Sequence, residues 1–95
     1  MIIIHGGVLI DADRVDEVAR AAADFETISR AEAGCAEYQL SWRVGPPASL
    51  RLLEIWEDEA SYLAHTEAAH TQQWSAYVSG VAAGPPAFTR YDVES

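Results

Sequence analysis

Apolar positions recur along the chain with two different periods. Ile2 to Ile10 is rich in β-branched residues and stops at Asp11, which predicts a strand. Its two rows are Ile2, Ile4, Val8, Ile10 and Ile3, His5, Gly7, Leu9. The period then changes. Val15, Val18, Ala22, Phe25 and Ile28 keep helical spacing, so a helix is expected from about Arg14 to about Ala31. Asp13 is its expected N-cap and Gly34 its C′ stop.

Alternation returns over Cys35–Val44, with Ala36, Tyr38, Leu40 and Trp42 on one side. Gly45-Pro46-Pro47-Ala48-Ser49 makes a turn, and Leu50–Glu57 is the next strand. Leu52, Glu54 and Trp56 form one of its rows, Leu53 and Ile55 the other. The short turn makes the two strands an antiparallel hairpin. Asp58 caps a helix over Glu59 to about Thr66. A further helix, from about His70 to about Val81, carries the stripe His70, Trp74, Tyr77, Val78, Val81. Gly84-Pro85-Pro86 ends it, and Phe88–Val93 reads as a last strand.

The order β-α-β-β-α-(α)-β is the ferredoxin-like α+β pattern, one antiparallel sheet with helices on one face. Residues 1–95 form one such domain. The helix-free face is expected to carry Tyr38, Leu40, Trp42, Leu52, Trp56 and Leu9. That is too much aromatic surface to leave in water, so a second copy should cover it as a homodimer. A cavity between helices and sheet, or inside the dimer, is the expected binding site.

Charge narrows the function. Six Lys+Arg, all arginine, stand against fifteen Asp+Glu, a net of −9. Such a chain lacks the basic footprint that binds phosphate backbones or anionic lipid, which argues against nucleic acid and membrane partners. No apolar run is long enough to span a bilayer, and the start has no basic region of the signal-peptide kind; a cytoplasmic protein is expected. One cysteine excludes an internal disulfide. The three histidines are spread along the chain, and no metal, flavin or haem ligand set stands out; no cofactor is expected.

The candidate chemistry sits in the second half. Glu54, between Leu52 and Trp56 on an inward row, must be paired or hold its proton more tightly; an ion pair with Arg43 or Arg90 is the structural alternative. Tyr62 and His65 lie three apart on one helix face, so a phenol and an imidazole can meet a hydroxylated ring together. His70 leads the Trp74 stripe and has a pocket role or a backbone contact. On the first strand, His5 stands beside Gly6-Gly7, where missing side chains leave room for a ligand or another backbone.

Several phrases resemble the antibiotic biosynthesis monooxygenase family: Gly34-Cys35-Ala36-Glu37-Tyr38, Leu53-Glu54-Ile55-Trp56-Glu57-Asp58-Glu59-Ala60, Ala64-His65 and His70. The resemblance covers nearly the whole chain and implies a dimeric α+β barrel that includes quinol monooxygenases. Members that oxidise polycyclic phenols need no cofactor, because the pocket assists deprotonation and the anion reacts with oxygen. The family's pocket Trp and Tyr match Trp56 and Tyr62. Its Asn before the Trp corresponds to Leu52, and its later Arg falls near Ala76. The resemblance implies a monooxygenase of a small aromatic or quinol-type substrate; taken with the residue chemistry above, His65 and Tyr62 are expected to be catalytic and Trp56, Glu54, His5, His70, Leu52 and Trp74 to bind substrate. Alternatives are an isomerase of a small carbonyl compound, with His65 or Glu54 as base, or a dimeric ligand-binding module. Haem degradation is disfavoured, since Gly7 stands near the strand-one Asn of relatives that perform it.

Overall fold

The computed structural model describes residues 1–94. Strands β1 (Ile2–Leu9), β2 (Cys35–Trp42), β3 (Ser49–Trp56) and β4 (Ala87–Asp92) form one antiparallel sheet in the order β2-β3-β1-β4. Helix α1 (Val15–Arg30) joins β1 to β2, while α2 (Glu59–Glu67) and α3 (Ala69–Val81) join β3 to β4. This is the expected ferredoxin-like arrangement.

Register shows which rows meet the helices. Ile2 pairs with Trp56, Ile4 with Glu54, Gly6 with Leu52 and Val8 with Leu50. Across the other edge of β3, Tyr38 pairs with Glu54, Leu40 with Leu52 and Trp42 with Leu50. Directly paired residues share a face, so all of these belong to one surface. Ile2, Ile4, Tyr38 and Trp56 pack against Phe25 of α1, and Leu40, Leu52, Tyr62 and Trp74 complete that cluster. The aromatic row therefore lies under the helices and not on the helix-free face, a correction to the expectation from sequence. Period two sorts residues into rows but does not say which row a helix covers. The open face instead carries Ile3, Leu53 and Ile55, with exposed Leu9 and Tyr91.

Three local expectations also change. Asp13 caps nothing; it lies inside a 3₁₀ turn, Ala12–Arg14, that precedes α1. Ile28 is exposed, and Ser29 takes its place in the buried stripe, because Val18, Ala22, Phe25 and Ser29 alternate steps of four and three. Gly34 lies beyond the helix end in the left-handed region (φ 78°), where its carbonyl accepts from the Glu57 amide. A Cβ there would sit 2.0 Å from Ser61 Oγ. The predicted cap at Asp58 is present, with its carboxylate accepting from the Ser61 amide at 2.8 Å.

The outer edge of β2 does not stand bare. Glu26 accepts from the Leu40 amide, and Arg30 donates to the Tyr38 carbonyl, so two α1 side chains satisfy an edge strand and fix α1 over it. Gly6 allows β4 to come close: a Cβ on it would meet the Ala87 carbonyl at 2.1 Å. Of the two uses suggested for Gly6-Gly7, approach of another backbone is the one found.

Candidate active site

A half-open cavity of about 400 Å³ lies between helices and sheet. Its sheet wall includes Ile4, Tyr38, Leu52 and Glu54; its helix wall includes Phe25, Tyr62, His65, Thr71 and Trp74. Phe88 and Arg90 line it from β4, a strand exposed at every position. Arg90 is the only Lys or Arg among the lining residues.

Of the residues singled out from sequence, Leu52, Glu54, Tyr62, His65 and Trp74 line this cavity. Trp56 is fully buried behind the wall, its ring centroid 4.7 Å from that of His65. His70 stands one layer further out. His5 does not join them. Its row faces away from the helices, it is exposed, and its ring stacks on Tyr91 with centroids 5.7 Å apart.

Glu54 has no arginine partner. Trp56 Nε1 donates to it at 2.7 Å, an i, i+2 contact along one strand face, and Arg90 is engaged by Glu59 and Asp92. One indole N–H does not offset the loss of water around a buried carboxylate. Burial therefore holds the Glu54 carboxyl above its usual range, although Trp56 and His65 both oppose the shift. Burial and the same carboxylate push the Tyr62 phenol up. Tyr38, in the wall, is raised strongly for the same two reasons. Both phenols thus remain protonated and able to donate.

His65 is the best-defined group. It lies in the last turn of α2, buried among Phe25, Tyr38 and Trp56. Its Nδ1 is 3.1 Å from both oxygens of Glu32. A carboxylate only accepts, so Nδ1 donates to it, and the neutral ring then has its lone pair on Nε2. Chain direction breaks at Ala68, which is extended between α2 and α3. That break brings the His70 ring to the same carboxylate, with Nε2 donating to Glu32 Oε1.

Sequence reading missed Glu32, Tyr38 and Arg90 as site residues. Glu32 lies in the irregular turn after α1, where no period operates. Tyr38 was legible as apolar but assigned to the wrong face. Arg90 is found from the register of β4, where it pairs with Ile4 on the helix-covered side. The three-way meeting of Glu32, His65 and His70 also departs from the view that the histidines are scattered.

The comparisons with known proteins agree with this fold. Residues 1–77 match the family model described as antibiotic biosynthesis monooxygenase. The chain is 35% identical over 72 residues to the "Putative monooxygenase YcnE" of Bacillus subtilis (strain 168), covering 76% of each. Among solved structures, the fold is shared with the "Putative antibiotic biosynthesis monooxygenase from Nitrosomonas europaea" (TM-score 0.89, 20% identity, 98% of each chain). It is shared equally with a conserved protein of Methanosarcina mazei Go1 (TM-score 0.89, 20% identity, 98% of this chain and 92% of that one). With four-fifths of its length matched by the family model, the chain belongs to the antibiotic biosynthesis monooxygenase family.

Proposed function

We propose that the protein is a monooxygenase of a small, acidic aromatic substrate of the quinol or anthrone type, which reacts with molecular oxygen as its anion. Family membership supports monooxygenase chemistry. The observation that carries the rest is His65, a cavity-lining imidazole whose tautomer is set by Glu32.

In this reading the aromatic ring lies among Phe25, Leu52 and Trp74, and water is displaced as it enters. His65 Nε2 takes the proton from the acidic carbon or hydroxyl, and Glu32 stabilises the imidazolium that results. Tyr62 and Tyr38 donate to the developing oxyanion, and Arg90 supplies the positive charge that the family's later Arg provides elsewhere. The anion gives an electron pair to oxygen. For an anthrone methylene, one oxygen atom becomes the new ring carbonyl and the other leaves as water with the two carbon-bound protons. No reductant is needed, because the substrate carbon supplies the electrons.

The working unit in this proposal is a homodimer closed through the open sheet face, where Ile3, Leu53, Ile55 and Tyr91 offer a broad apolar surface. Ile55→Glu should yield a monomer by sedimentation, whereas a change at Trp42, which packs under the helices, should leave the dimer intact. The reaction is tested by oxygen uptake with a panel of hydroquinones and anthrones. Uptake with one class, absent without protein, is expected. No uptake with any of them would overturn the assignment.

A further inference from the structure

We infer that Glu32, His65 and His70 form a binding site for a divalent transition-metal ion of the borderline class, such as zinc or cobalt(II). The site goes beyond the oxygenase reading and does not depend on it.

The three side chains come from three elements: the turn after α1, the last turn of α2 and the first turn of α3. One ligand atom from each lies within 4.8 Å of the others, His65 through Nδ1 and His70 through Nε2. A tetrahedral ion with bonds of about 2.1 Å spaces its donors by about 3.4 Å. His65 Nδ1 already stands 3.1 Å from the Glu32 oxygens, close to that spacing, and the ring of His70 has to turn about its side-chain bonds to complete the set. Thr71 Oγ1 lies 3.4 Å from the same nitrogen.

The chemistry selects the ion. Two imidazole nitrogens and one carboxylate suit zinc, cobalt, nickel or copper and are a poor match for calcium or magnesium, which prefer oxygen. The ligands are sheltered, with side-chain exposures of 3% for His65, 18% for Glu32 and 26% for His70. The His70 edge leaves an entry path. Aromatic rings of Phe25, Tyr38 and Trp56 surround His65 and limit its rotation. In the metal-free protein the same three groups satisfy one another by hydrogen bonds. On loading, the ion takes the lone pairs of His65 Nδ1 and His70 Nε2, so the proton of each ring sits on the other nitrogen, Nε2 of His65 and Nδ1 of His70. A loaded site therefore leaves His65 without the lone pair needed as a base, so on the oxygenase reading the ion inhibits.

The test uses the full chain stripped with a chelator and titrated with cobalt(II) and zinc. One ion per chain is expected, with a visible cobalt d–d band and a rise in Tm of ~10 °C at a hundredfold excess over Kd. His70→Ala and Glu32→Gln should each weaken binding about a hundredfold or more while keeping the far-ultraviolet circular dichroism of the parent. His5→Ala, which alters an exposed histidine on the opposite face, should bind like the parent. The site is refuted by substoichiometric binding, by affinity unchanged in His70→Ala and Glu32→Gln, or by affinity lost in His5→Ala. Because metal itself is the readout, failure here leaves the oxygenase assignment standing, and an inactive oxygenase leaves the metal site standing.

Discussion

The two ends of the helix–sheet interior are built from different materials. One end packs Val8, Ile10, Val18, Leu50 and Val81, aliphatic side chains with no polar atom. The other packs Ile2, Ile4, Phe25, Tyr38 and Trp56, and through this cluster run Glu54, His65, Glu32 and His70. The buried residues of the aliphatic end gain stability from burial, and the polar atom at its margin, the Tyr77 hydroxyl, donates to Glu17 at 2.7 Å. The aromatic end spends part of the same gain on holding a carboxylate and an imidazole out of water. A protein that needed only a core would have no use for the second arrangement, so the contrast marks the aromatic end as the place to test for chemistry.

Breaking each end separately should give opposite signatures. The largest effect expected is on turnover: His65→Ala should lower it ~10²–10⁴-fold in oxygen-uptake assays, the usual contribution of a positioned general base. Trp56→Ala should cost about 3–5 kcal/mol in urea unfolding, since it empties a fully buried indole site and strips Glu54 of its donor. At the aliphatic end, Val18→Ala should cost ~1.5–2 kcal/mol of stability and leave turnover per folded molecule unchanged. Equal losses of turnover from Val18→Ala and His65→Ala would erase the distinction between the ends.

Finer changes sharpen the comparison. Tyr62→Phe should raise the barrier by ~0.5–1.5 kcal/mol, one hydrogen bond to the substrate oxygen, without a change in Tm. Glu54 gives a pH signature. Its folded carboxyl holds a proton more tightly than the unfolded one, so in the window above the ordinary carboxylate range the native state binds more protons. Stability must then fall as pH rises through that window. Glu54→Gln removes the titration, and its Tm relative to the parent should climb across the same interval. A difference in Tm that is flat with pH would mean Glu54 is not held above its ordinary range.

Much of this layout is legible in the chain. The apolar period distinguishes α1 from β1 and β2, and Asp58 announces α2, because burial and capping act on neighbouring residues. What periodicity cannot supply is the third dimension. The row Tyr38, Leu40, Trp42 is visible as a row, yet only pairing with β3 and β1 shows that it meets the helices. Ile28 reads as a core residue until the helix is rotated by its own 3.6-residue repeat onto Ser29. Tyr62 and His65 were found because three residues apart on a helix is a spatial statement. Glu32 is 33 positions from His65 and lies in a turn, so no spacing rule joins them. Arg90 enters by the register of the last strand for the same reason.

In the proposed reaction, Glu32-held His65 removes a proton from substrate before oxygen reacts. Anaerobic titration of metal-stripped protein with an anthrone separates these steps, because the anthrone anion absorbs at longer wavelength than the neutral form. The parent should show the anion band on binding without oxygen, Glu32→Gln a weaker band, and His65→Ala none. An equal band in His65→Ala, or no band in a parent that binds and oxidises the anthrone, would contradict the claim.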